Sequence, residues 1–202
     1  MKLYYSPGAC SLAAHILLNE INADYELEKV DIRTHLTEKG SDYYQINPKG
    51  YVPALEIDPK LVLTENIAIL PFIAQNDPSQ NLIPISGLGL AKVLEWLGYL
   101  NSELHTAYSA LFAKDISSEQ RKDAHKNIDK LLGFIEAHLK NSDTDYLLGD
   151  SFGPADAYLF VITNWSQLTH HDLSAFSHIL ALRSRVAERP SVQVAMKKEG
   201  LI

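Results

Sequence analysis

Lys2-Leu-Tyr-Tyr-Ser-Pro-Gly-Ala-Cys10-Ser-Leu-Ala-Ala-His-Ile-Leu-Leu-Asn-Glu20, followed by Tyr25-Glu-Leu-Glu-Lys-Val30, is the stretch that sets the architecture of the amino-terminal part. Lys2 to Tyr5 is short and β-prone, and Ser6-Pro7-Gly8-Ala9 forms a turn. Cys10 to Glu20 then carries Leu12, Ile16 and Leu17 at helical spacing, and Tyr25 to Val30 reads as a second strand, which completes a βαβ unit. Farther on, Ala54–Ile57 and Leu61–Thr64 flank the turn Asp58-Pro59-Lys60, and Asn66–Gln75 has a helical apolar face. The order βαβ then ββα predicts an α+β layer around a small mixed sheet. Pro71 inside the last helix should kink or shorten it, at a cost of ~3 kcal/mol unless packing offsets it.

Asp77 to Gly89 contains two Pro, two Gly and two Ser, the densest run of breakers in the chain. Beyond it the periodicity is helical. Leu90, Val93, Leu94, Leu97 and Leu104 make one stripe along a long helix, and Ile128, Leu131, Leu132, Ile135 and Leu139 make another. Ser117-Ser118-Glu119-Gln120 reads as a capping box opening the second of these helices. Ala155–Trp165 is apolar nearly all round, as a central helix would be, and Gly153-Pro154 suits its start, with Asp156 as a structural carboxylate in the first turn. The expected division is therefore an α+β domain at 1–78, a linker at 79–87 and an all-α bundle at 88–202.

The 202 residues carry a net charge of −7. Of this, −5 falls on residues 1–78 (11 acidic, 6 basic) and −2 on the rest (14 acidic, 12 basic). This sign argues against nucleic acid or anionic lipid as a partner. Apolar runs are too short for a membrane span, and the amino terminus has no basic flank leading into an apolar stretch, so a soluble, cytoplasmic protein is expected. The single cysteine excludes an intrachain disulfide or a multi-thiolate metal site, and the eight histidines show no metal-ligand spacing, so no metal is expected.

Several constellations could carry chemistry. Cys10 sits at a helix start, where unpaired N–H groups and the dipole favour a thiolate, although a lone cysteine also serves as a small buried hydrophobe. Position 13, where a second thiol would close a dithiol pair, is Ala13, so any disulfide chemistry must recruit an external thiol. Val52-Pro53 enters a strand. Such a proline is either a plain strand entry or a cis bond that presents the backbone of Val52 to an extended peptide. Thr64-Glu65-Asn66 precedes a helix and is either a cap or a grip for a zwitterionic amino-acid head, with Glu65 taking the ammonium. Ser102-Glu103-Leu104-His105 places a histidine beside an apolar stripe, as a structural or a catalytic residue.

Taken together, these residues resemble the cytosolic glutathione transferase family, most closely its bacterial beta class. The resemblance is carried by Met1 to Leu12, Asn47-Pro-Lys-Gly-Tyr-Val-Pro-Ala-Leu55, Leu63-Thr-Glu65, Glu95-Trp-Leu97 with Glu103-Leu-His105, Ala155-Asp-Ala-Tyr-Leu-Phe160 and Glu199-Gly-Leu-Ile202. It implies a thioredoxin-like first domain, a helical second domain, and a homodimer that binds glutathione at the domain junction. It also implies a cis bond before Pro53, Val52 pairing the cysteinyl backbone of glutathione, and Glu65 with Asn66 holding its γ-glutamyl group. Cys10 would lie beside the glutathione sulfur, able to form a mixed disulfide, with His105 near the same sulfur.

The implied glutathione site comprises Ala9, Cys10, His35, Val52, Pro53, Glu65, Asn66, Ser102, Glu103 and His105. Tyr5, Ser11, the Cys10 region and His105 are expected to favour the thiolate. His35 stands where the family commonly has a lysine for the glycyl carboxylate, and a largely neutral imidazole is a weaker clamp. Asn66 replaces a usual Ser or Gly, and Thr106 and Gly98 stand where Lys and Asn are frequent. The expected function is attachment of the glutathione thiolate to small hydrophobic electrophiles, a detoxification chemistry, with glutathione as co-substrate and no permanently bound cofactor. The alternatives are a glutathione-dependent thiol-disulfide oxidoreductase or peroxidase working through Cys10, and a non-catalytic binding protein that keeps the fold.

Overall fold

The computed structural model describes all residues except 80, 81, 114 and 143. The described chain forms two compact units, Met1–Ile83 with Glu188–Ile202, and Pro84–Ala187. The expected linker at 79–87 lies across their boundary, with residues 80 and 81 outside the described part.

In the first unit β1 (Lys2–Tyr5), α1 (Leu12–Glu20) and β2 (Glu26–Asp31) form the βαβ unit, and β3 is the short pair Leu36–Thr37. β4 (Ala54–Asp58), β5 (Leu61–Thr64) and α2 (Asn66–Gln75) follow. The sheet order is β3-β2-β1-β4-β5. β1 runs parallel to β2, with Leu3 opposite Leu27, and antiparallel to β4, with Leu3 opposite Leu55. The remaining pairs are antiparallel, and a register shift at Glu56/Asp58 bends the β4–β5 hairpin. This is the mixed sheet that the apolar pattern predicted. The cover consists of α1, buried from Leu12 to Leu18, and α2, whose Ile69, Leu70 and Ile73 are fully buried, as are Leu3 and Leu55 of the sheet. Burying such side chains contributes roughly 1.5–3 kcal/mol each. Pro71 does not end α2, which continues to Gln75 with the ring buried in the same layer.

The expected all-α domain of 88–202 needs one correction. Its last helix, α8 (Pro190–Lys198), belongs to the first unit and packs on α1. α1 is apolar on both flanks, so the sheet alone cannot cover it, and Val192 and Ala195 close the other side. Arg189 pairs with Glu20, which also accepts from Ser191 Oγ.

The second unit holds α3 (Gly87–Tyr99), a widened π turn at Leu100–His105, α4 (Thr106–Ser109), α5 (Ser118–Ser142), α6 (Pro154–Thr169) and α7 (Ser177–Ala187). The long first helix of the sequence pattern is thus interrupted by the π turn. Val93, Leu97 and Leu104 are buried as expected, whereas Leu94 is 40% exposed. The capping box is formed: the Ser117 N–H reaches Gln120 Oε1 at 2.9 Å, and the Gln120 N–H reaches Ser117 Oγ at 3.1 Å. α6 is the central helix, buried from Pro154 to Thr163. Asp156 accepts from the N–H groups of Leu147 and Gly153, both at 2.9 Å, and so splices the preceding loop to the helix start.

Candidate functional site

In the first unit, three segments distant in sequence meet at Cys10. The turn Ser6–Ala9 is closed by the Ala9 N–H on the Ser6 carbonyl at 3.0 Å, and Gly8 sits at φ +70°, a conformation suited to glycine. The Cys10 thiol donates to the Val52 carbonyl at 3.2 Å, and the Val52–Pro53 bond is cis, as the resemblance implied. Asn66 Nδ2 donates to the Cys10 carbonyl at 3.0 Å and so ties the start of α2 to the same point.

Two expectations change here. Burial pushes the Cys10 thiol up to about 12, Glu65 adding to the rise, and the lowering by the N–H groups of Cys10 and Ser11 is the smaller effect. The helix start therefore does not make this cysteine a thiolate. Asn66 is 3% exposed, so its amide is an internal bracket rather than a hand for a ligand. What α2 offers outward is the exposed Glu65 carboxylate and the unpaired N–H groups of its first turn. Glu65 adopts φ 73°, ψ 124°, uncommon for a non-glycine residue. Lys49 is paired with it and donates to Thr64 Oγ1 at 2.8 Å.

Ser11 is fully buried, its hydroxyl taking the Ser6 N–H at 3.2 Å and giving to the Ser6 carbonyl at 3.3 Å. It fixes the turn, in place of the thiolate-donor role expected for it. Tyr5 is buried, and burial followed by the charges of Glu199 and Glu38 raises its hydroxyl, so it stays a neutral phenol. Its ring lies 6.1 Å from that of His15. His35 packs against Tyr44 with the rings tilted by 37° and their centroids 4.5 Å apart, and a Cβ on Gly50 would come within 3.1 Å of its ring. Behind the turn, the Glu199 carboxylate accepts the Gly8 N–H at 2.9 Å and meets His15 Nδ1 at 2.8 Å.

Ser102, Glu103 and His105 belong to the second unit, on the π turn, a backbone form frequent at functional sites. Ser102 and Glu103 are exposed, and the Ser102 hydroxyl bonds back to the Gly98 carbonyl at 2.9 Å. His105 Nδ1 lies 2.7 Å from the Tyr158 hydroxyl, which itself donates to Asn101 Oδ1 at 3.1 Å. With the phenolic proton so used, His105 donates from Nδ1 and keeps Nε2 as an acceptor. Burial lowers its pKa, so the ring is neutral at pH 7 and acts as an acceptor rather than a cationic donor. Trp165 packs on it edge to face at 4.8 Å. Sequence reasoning passed over Lys49, Asn101 and Tyr158; Tyr158 was legible only as the polar-tipped residue in the apolar run of α6. Among the described residues no group of three His, Cys, Asp or Glu side chains could hold a metal ion, and no helix is long and apolar enough to cross a membrane.

A thioredoxin-like sheet carrying a peptide-edge cysteine, joined to a helical unit, defines a glutathione transferase architecture. Residues 1–75 match the glutathione S-transferase N-terminal domain and residues 91–190 its C-terminal domain, so the chain belongs to the glutathione S-transferase family. It is similar along the full length of both chains to glutathione S-transferase GstA of Escherichia coli, at 41% identity, and to a Xanthomonas campestris glutathione S-transferase, at 36%. Among solved structures, the bacterial beta-class glutathione S-transferase of Sphingomonas chungbukensis is 41% identical with a TM-score of 0.94 over all of both chains. A sphingomonad glutathione S-transferase complexed with glutathione is 40% identical, with a TM-score of 0.94 and the same coverage.

Proposed function

We propose that this protein conjugates glutathione to small hydrophobic electrophiles. The observation that carries the reading is the convergence on Cys10: its thiol on the Val52 carbonyl and its own carbonyl held by Asn66, at the mouth of a strand edge suited to an extended tripeptide. Val52 would pair the cysteinyl backbone of glutathione, and Glu65 with the first turn of α2 would take the γ-glutamyl head. His35 is offered for the glycyl carboxylate. The helical unit, for its part, offers a neutral acceptor at His105 and, at Phe112, an exposed apolar ring of the kind a hydrophobic electrophile needs. A homodimer in the cytoplasm, without a resident cofactor, completes the reading and rests on the resemblance to the family.

Turnover through Cys10 as a thiol-disulfide oxidoreductase is the weaker reading. Burial pushes the Cys10 thiol up to about 12 and keeps it protonated at pH 7 in the ligand-free protein, which disfavours it as a resting nucleophile. The test combines retention on immobilised glutathione with conjugation of a chloronitrobenzene by the intact protein and by Cys10→Ala. Conjugation that survives the substitution supports the transferase reading. Disulfide turnover that vanishes with it, in a protein that conjugates nothing, would favour the oxidoreductase. Neither retention nor turnover would leave a non-catalytic binding protein.

A further inference from the structure

Glu65, the carboxylate to which that reading gives the ligand's ammonium, already holds an ammonium in the free protein. Lys49 Nζ pairs with Glu65 Oε1 and donates to Thr64 Oγ1 at 2.8 Å. Both side chains are about half exposed, and each extends from a locally fixed backbone. Lys49 lies in a turn where Asn47 Oδ1 takes the Lys49 N–H at 3.2 Å and Asn47 Nδ2 gives to the Tyr51 carbonyl at 2.6 Å. Gly50 closes that turn at φ +73°, a conformation suited to glycine, and a Cβ there would fall 2.8 Å from Tyr44 Cε1. Glu65 is aimed by its own left-handed φ at the N-cap of α2. The donor and acceptor set around the pair is the one an amino-acid ammonium would use: a carboxylate and a hydroxyl converging on one cation.

We propose that Lys49 is a resident ammonium that occupies Glu65 until the γ-glutamyl ammonium displaces it, which makes it a specificity-determining residue. The inference rests on Glu65 being the γ-glutamyl acceptor. No bond is made or broken; one ion pair is exchanged for another, and Lys49 swings into solvent. The occupant raises the threshold for binding. A ligand without an amino group gains nothing from displacing Lys49, whereas one with the group competes for the carboxylate directly.

The experiment measures dissociation constants by calorimetry, at fixed pH and salt, for glutathione and for its desamino analogue, in which a glutaryl group replaces the γ-glutamyl group. It uses the whole protein, Lys49→Met and Glu65→Gln. Lys49 is exposed and methionine keeps its length, so folding is preserved. Lys49→Met is expected to bind glutathione roughly two- to fivefold more tightly, the span of exposed ion pairs, with the desamino analogue unchanged. Glu65→Gln is expected to weaken glutathione by about tenfold or more. If Glu65→Gln weakens glutathione but Lys49→Met leaves it unchanged or weakens it, the competitor role is overturned and the assignment of Glu65 stands. If Glu65→Gln changes nothing, the assignment of Glu65 falls, and the Lys49 role with it. Equal tightening of both ligands by Lys49→Met overturns the selectivity and shows that the lysine side chain obstructs the site rather than competing for Glu65.

Discussion

Cys10 shows two opposing effects on one atom. The N–H groups of Cys10 and Ser11 pull the thiol towards ionisation, while burial and the Glu65 charge push it to about 12, and burial wins. The expected outcome is slow alkylation by iodoacetamide in the ligand-free protein, its rate rising about tenfold per pH unit between about pH 7 and 10 without a plateau. A plateau with a midpoint below about pH 9 would contradict the buried-thiol account. That this cysteine stands between a turn and a helix start was legible from the residues on either side of it. Its protonation state was not, because the burial that raises it and the Glu65 charge that adds to it come from the tertiary fold, as does the Val52 carbonyl that accepts the thiol. His105 teaches the same lesson: the histidine was visible in the sequence, but its tautomer is assigned by Tyr158 of α6, whose proton goes to Asn101 on the π turn of His105 itself.

At the scale of elements, α8 is the instructive case. The tail Glu199-Gly-Leu-Ile202 was legible as a motif, yet helical periodicity counted its helix with the bundle, whereas the structure packs it on α1. Glu199 then carries two buried contacts, to the Gly8 N–H and to His15 Nδ1, and Leu201 lies over Gly8. Glu199→Ala would remove both contacts and leave the buried His15 ring without its carboxylate, and should cost about 2–4 kcal/mol in urea unfolding. A loss below about 1 kcal/mol would show that the pair is dispensable. Elements whose signals are local came out as read: the β4–β5 hairpin at Asp58-Pro59-Lys60, the capping box of α5, and Asp156 at the start of α6.

For the whole molecule, His105 and His171 tie stability to pH. Burial lowers the pKa of His105 and of His171, the latter against the opposing pull of Asp129 and with His125 adding to the fall. His125 Nδ1 stands 2.5 Å from His171 Nδ1, His171 Nε2 stands 3.2 Å from Asp129, and the Tyr108 ring packs against His171. A folded state with depressed histidine pKa values binds fewer protons than the unfolded chain. Stability from these groups is therefore complete above about pH 6.5 and falls as pH drops below it. Urea midpoints should decline from about pH 7.5 to 5.5, before Glu28 and Glu136, whose pKa values are lowered, begin to take up protons. A flat profile over that range would refute the histidine account. The sequence by itself determined the βαβ and ββα order, the helical second unit, the site motifs and the family, because periodicity, turn chemistry and short motifs are properties of neighbours in the chain. Only the tertiary structure decided the side of the chain on which α8 closes, the protonation of Cys10, the neutral acceptor at His105 and the lysine resting on Glu65. Desolvation and ion pairing depend on which distant residues arrive, and local sequence does not encode that arrival.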